Sequence, residues 1–223
     1  MRTNFLDYIN KDLQLKEFHY TQKKEGEYII FEYRKKSKKN IQNISFLQLK
    51  NKLKGFFYGV NFIQMEKIIA PILEKNEIVG ELYKAENIND SFFVKKSSEY
   101  TLTDRGIDIS NDSKIKEIFN LFLINDALPF FEKWKDLTVL YEYIKDKTEE
   151  ELWDILGQFA PMKKATILRL CNDSNYQKHM DDYYEKQKEY YEEDPEDIDN
   201  IRYYNAAKEL KEVLDRTEPI YNI

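Results

Sequence analysis

The chain of 223 residues holds one cysteine, Cys171, so no internal disulfide can form and no second thiol is present for a metal cluster or a redox pair. A reducing compartment is the expectation. Only 6 glycines and 5 prolines punctuate the sequence, too few for the frequent turns of a sandwich or barrel, so helix should dominate. The same scarcity argues against a phosphate-cradling loop, and neither G-x-x-x-x-G-K-[ST], G-x-G-x-x-G nor the nucleophile elbow G-x-S-x-G occurs. The two histidines, His19 and His179, lie far apart, and neither has a His-x-x-x-His or cysteine partner for zinc; His179, beside Asp181 and Asp182, reads as a surface residue. No run of about 18 apolar residues is present, and charges are spread through MRTNFLDYINKDLQLKEF where a signal peptide needs an apolar core. These absences predict a soluble cytoplasmic protein without metal or cofactor.

What is abundant is apolar and aromatic. A hydrophobic fraction of 42% and an aromatic fraction of 15% supply enough burial to offset ordering entropy, so the chain folds. YIIFEY from Tyr28 to Tyr33, ISFLQLK from Ile44 to Lys50 and FFYGVNFIQ from Phe56 to Gln64 are β-branched or aromatic, as strands are, with RKKSKKN and NKLKG as their connections and Gly59 marking a bulge or a close backbone approach. Met65, Ile68, Ile69, Ile72 and Leu73 then make a helical stripe, interrupted by Pro71, that suits the cover of a sheet face. SFFVKKSSEYTLT, from Ser91 to Thr103, adds one or two strands. From there the period turns helical: Ile115, Ile118, Phe119, Phe122 and Leu123 predict a helix over 114–125, Pro129 opens another, Thr148 with Glu151 matches a capping box, and Pro161 starts PMKKATILRLC. A last helix is expected from Asp194 as N-cap with Pro195 at its first position. The fold class is therefore α+β: a small antiparallel sheet with a covering helix in residues 1–110, followed by an all-helical half in 111–223.

Charge is distributed unevenly along the chain. The net charge is −6, yet Lys and Arg crowd Lys11 to Lys54, and acids crowd Asp181 to Asp199, where only Lys186 and Lys188 oppose them. Within that acidic stretch Tyr183, Tyr184, Tyr190 and Tyr191 alternate with Glu185, Glu189, Glu192, Glu193 and Asp194. Two readings stand side by side. Tyrosine gives large contact area at small entropic cost and surrounding acids steer a cationic partner, which makes these nine residues a candidate partner-binding surface. Alternatively they form a solvated acidic helix pair whose rings pack on the protein's own helices.

Other chemistry finds less support. DPEDID lacks the central glycine and twelfth-position glutamate of an EF-hand. Cys171 ends an apolar stripe at a predicted helix C-terminus, where a thiolate is disfavoured, so it reads as structural. The run with Arg34, Lys35, Lys36, Lys38 and Lys39 could touch phosphates from a hairpin tip, with Phe31 or Tyr33 stacking, which makes a nucleic-acid-associated adaptor the second hypothesis; the pI of about 5.2 opposes it. A hydrolase with a carboxylate pair is the third, and it requires a pocket in which acids converge.

GFFYGVNFIQ, the helical stretch FFEKWKDLTVLYEYI and the acidic, tyrosine-rich tail together resemble the small, acidic, cysteine-poor α+β immunity proteins that accompany bacterial polymorphic and contact-dependent toxins. The resemblance implies a stoichiometric inhibitor that covers a basic toxin domain and has no catalytic residues. Where the toxin is a nuclease, it would cast Glu192, Glu193 and Asp194 as phosphate mimics and Tyr190 and Tyr191 as anchors.

Overall fold

The computed structural model describes residues 4–79, 94–97 and 106–223. Two compact units emerge, each built from two stretches of chain: Met1–Val60 with Val94–Lys135, and Asn61–Phe93 with Asp136–Ile223. The architecture is α+β, with an antiparallel sheet in the N-terminal part and helices through the C-terminal half.

The first unit opens with helix α1 (Phe5–Leu15), capped by the Asn4 side chain and burying Phe5, Ile9 and Leu13 at intervals of four. Strands β1 (His19–Glu25), β2 (Tyr28–Lys36), β3 (Asn40–Leu49) and β4 (Lys52–Phe62) follow as a meander; β5 (Val94–Ser97) pairs with β4, and β6 (Ile107–Asp108) pairs with it further along. β1 and α1 were not signalled by the sequence pattern. β1 is polar and largely exposed, and its strand character comes from unbroken pairing with β2, from His19 opposite Arg34 to Glu25 opposite Tyr28. The predicted connections are shorter than RKKSKKN and NKLKG suggest. Arg34 to Lys36 belong to β2 and Lys52 to Gly55 to β4, because the ladders continue to the turns at 37–39 and 50–51 and satisfy backbone groups that loops would leave to water. Pairing of β4 with β5 runs in register through Gly59, from Phe57 opposite Ser97 to Val60 opposite Val94, so no bulge interrupts the ladder there. Of the strands expected between Ser91 and Thr103, Val94–Ser97 is one, and the remainder lies outside the described residues.

One face of this sheet is aromatic and is covered by helix. Phe31 stacks on Phe46 at 4.8 Å, and Phe56 lies nearly parallel to Phe122 at 4.9 Å, with Phe119 beside them. Those last two rings come from α3 (Asp112–Phe122), which passes through a π turn (Leu123–Ala127) into α4 (Leu128–Lys133). The Tyr33 hydroxyl donates to Asn10 of α1 at 2.7 Å, tying the second covering helix to the sheet.

The second unit is helical. α2 (Ile63–Lys75) continues through Pro71 and buries Met65, Ile69, Ile72 and Leu73 against α7 (Ala160–Leu170) and α9 (Ile198–Arg216). α5 (Leu137–Ile144) and α6 (Glu149–Leu156) precede α7, and the Thr148–Glu151 capping box starts α6 as expected. α8 (Tyr176–Glu193) and α9 form an antiparallel pair. The start of α9 differs from expectation: Asp194 closes α8, and Asp197 is the N-cap, accepting from the amides of Asp199 at 2.8 Å and Asn200 at 3.0 Å. Proline disfavours helical geometry in the residue before it, so Pro195 ends α8 instead of opening α9.

Candidate functional site

The α8–α9 pair is seated by packing along both helices. α8 buries Tyr176, Met180 and Tyr183, α9 buries Ala206, Ala207, Leu210 and Leu214, and the two helices pack on each other. The Tyr176 hydroxyl donates to Asp215 at 2.9 Å, Lys211 pairs with Asp181, and Arg169 Nε caps the end of α9 through the carbonyls of Leu214 and Thr217 at 3.0 and 2.7 Å.

This packing divides the nine candidate residues. Tyr183 is buried, and burial pushes its phenol pKa up. Tyr184 meets the hydroxyl of Tyr204 at 3.2 Å, a bond that raises the Tyr184 pKa to about 12. Tyr191 stacks on the same Tyr204 ring. Tyr190 alone of the four is well exposed, at 43%. Glu185, Glu189, Glu192, Glu193 and Asp194 are all exposed. Lys188 lies 3.7 Å from Glu185 and 3.8 Å from Glu192, which offsets the repulsion expected along α8. At 100° per residue, Asp182, Glu189 and Glu193 fall along one edge of the helix, while Glu185 and Glu192 fall behind it.

That edge borders a groove of about 700 Å³ walled by α6, α7, α8 and α9. Its apolar wall comes from Leu152, Phe159, Met162 and Tyr183, and its mouth carries Trp153, 47% exposed, and Tyr190. Between α6 and α7 the chain turns through Gly157 at φ 63° and Phe159 at φ 65°. A left-handed phenylalanine is strained, and its near-complete burial holds it in that state. The first turn of α7 presents the Pro161 carbonyl to His179 Nε2 at 3.3 Å, so His179 is a half-buried groove residue and not the surface residue its acidic neighbours suggested. Burial lowers its pKa, with Lys164 adding to the effect and Asp182 and Glu149 opposing it.

The groove's lysines are engaged. Lys147 bonds Glu151 at 2.7 Å, Lys186 reaches Glu149 at 3.2 Å, and Lys164 donates to the Lys147 carbonyl at 3.2 Å. A second, more polar cavity of about 670 Å³ adjoins it, sharing Lys164, His179 and Asp182 and adding Lys145, Asp173 and Lys178. Among the described residues no three or more His, Cys, Asp or Glu side chains gather as metal ligands, and no helix is long and apolar enough to cross a membrane. Cys171 is buried and its thiol pushed up to about 12, mainly by burial, which confirms a packing role for this side chain. In the first unit, two of the five residues of the basic hairpin tip are paired, Arg34 with Glu32 at 2.9 Å and Lys35 with Glu17 at 2.8 Å, and Lys36, Lys38 and Lys39 are exposed at the β2–β3 turn.

Trp153, Phe159, Asp182 and Tyr203 line this groove without having been singled out by the sequence. The one available signal was spacing, since Asp182, Tyr183, Lys186, Gln187 and Tyr190 share a helical face. Aromatic surface beside unpaired carboxylates can recognise a cationic or amphipathic chain segment. In comparisons with known proteins, the chain matches no family model, and no curated protein or solved structure is significantly similar to it.

Proposed function

We propose that this chain is a non-enzymatic protein-binding module of the immunity type, which neutralises a basic toxin domain in the cytoplasm by stoichiometric binding. The observation that carries the reading is electrostatic: from Tyr176 to Asn200 ten carboxylates face three lysines, and Glu185, Glu189, Glu192, Glu193 and Asp194 are all open to solvent. Such a field speeds encounter with a cation and rejects anionic competitors. Tyr190 supplies the exposed aromatic contact beside it. Tyr183, Tyr184 and Tyr191 act one step removed, by holding α8 in place.

The test identifies the neighbouring genes and pairs the purified chain with the C-terminal domain of any secreted protein encoded there, in isothermal titration at low and moderate salt. One-to-one binding that weakens with salt, and that loses about tenfold or more in affinity on Glu189→Lys, Glu192→Lys and Glu193→Lys together, is the expected result. Affinity and salt dependence untouched by the triple reversal would remove α8 as the docking surface.

A further inference from the structure

α8 contributes His179, Asp182, Tyr183, Lys186, Gln187 and Tyr190 to the groove. At 1.5 Å per residue this face is about 16 Å long, a span that an extended peptide covers in about five residues. This face of the groove is therefore elongated, and its Asp182 carboxylate is less committed than its lysines. Its lysines are tied to Glu151, to Glu149 and to a backbone carbonyl. By contrast, Asp182 has no ion-pair partner among the described residues, and its charge acts on the neighbouring His179 ring. Trp153 is half-exposed, with no ring or cation against it among the described residues, and Tyr190 stands open at the far end. Glu189 and Glu193 extend the same edge with no ion-pair partner among the described residues. A carboxylate or phosphate ligand would have to compete with Glu151 and Glu149 for Lys147 and Lys186, and a purely apolar segment would leave the acid edge desolvated and unpaired.

Resting on the basic-partner reading above, we propose that this groove receives an extended, arginine-bearing segment of that partner. Asp182 accepts from a guanidinium, and the faces of Trp153 and Tyr190 hold the side chain and its neighbours. Arginine fits better than lysine because its planar, weakly hydrated cation stacks on aromatic faces while its N–H fork meets a carboxylate. The left-handed Phe159 shapes the wall against which the segment lies.

The experiment follows the two indole N–H resonances of the isotope-labelled full chain by NMR. Trp153 reports the groove, and Trp134, 5% exposed, serves as the internal control. The probes are an acetylated, amidated five-residue peptide with two arginines flanking a leucine, and the same peptide with citrulline in place of arginine. Expected are a saturable shift of Trp153 but not Trp134 with the arginine peptide, binding about tenfold weaker in Asp182→Asn, and a citrulline peptide that binds weakly and is indifferent to that substitution. A Trp153 signal unmoved up to millimolar arginine peptide, or equal binding of the two peptides, overturns the assignment. A negative peptide result alongside salt-sensitive partner binding removes the groove alone. Partner binding indifferent to the glutamate reversals, alongside a positive peptide result, removes the α8 docking reading and leaves the groove as an arginine-peptide site.

Discussion

The ring of Tyr191 lies flat on that of Tyr204, their centroids 4.9 Å apart and their planes within 5°. Tyr204 also takes the hydroxyl contact of Tyr184, so one residue of α9 engages two of the four tyrosines that make the acidic stretch look like a contact surface. Rings used in this way hold the helix pair together, and the carboxylates around them are displayed on a rigid support. The distinction yields measurable consequences.

Tyr204→Ala removes the stack with Tyr191 and the contact with Tyr184. Aromatic pairs contribute about 0.5–1.5 kcal/mol beyond area burial, so a loss of about 1–2 kcal/mol is expected in urea denaturation. Tyr204→Phe keeps the stack and should cost less than about 1 kcal/mol. Equal losses for the two variants would show that the hydroxyl contact, and not the stack, matters.

His179 makes stability pH-dependent. Its folded pKa lies below the ordinary 6.5 because burial disfavours the charged ring. Between the two values the unfolded chain binds the extra proton, so stability is complete above about pH 6.5 and declines as pH falls through the folded pKa. Melting temperatures taken from about pH 7.5 down to about pH 5 should fall more steeply for the wild type than for His179→Gln. Parallel curves would refute the assignment.

Cys171 has a thiol raised to about 12 and no exposed surface. An aromatic disulfide reagent near pH 8 should leave the native protein unlabelled and modify one thiol per chain in urea. Rapid native labelling would contradict the packing.

Two glycines with left-handed backbone differ in their surroundings. A Cβ on Gly106, at φ +65°, would stand 2.5 Å from the Leu53 carbonyl oxygen, whereas one on Gly26, at φ +58°, would meet nothing within 4 Å. Gly26→Ala should therefore cost about 1 kcal/mol, the backbone term alone, and Gly106→Ala more than about 2 kcal/mol in the same denaturation assay. Similar costs would mean that β6 shifts to relieve the contact.

Periodicity located what repeats within a few residues. The stripe from Ile115 to Leu123 became α3 and the π turn, the hydroxyl–carboxylate pair Thr148 and Glu151 became a working cap, and the aromatic run at Phe56 became β4. Elements whose evidence is relational were invisible. β1 is a polar segment that becomes a strand because β2 offers it a complete ladder, and Asp194 and Asp197 are equally good caps until Pro195 ends the preceding helix. The acidic face was legible because charge is a property of composition. The groove was not, because Trp153 and Tyr190 lie 37 positions apart and come to line one groove through the turns at 157–159 and 172–175.

From residues alone came the fold class, the unpaired thiol, the helical second half and the negative character of its end, since each depends on local spacing or on counting. Folding in three dimensions settled which rings are spent on packing, which stay open, and which acids stand beside a cavity. Those outcomes depend on contacts between distant positions, where a tyrosine is drawn inward or left outside according to the helix opposite it, and no pattern within a single segment encodes that choice.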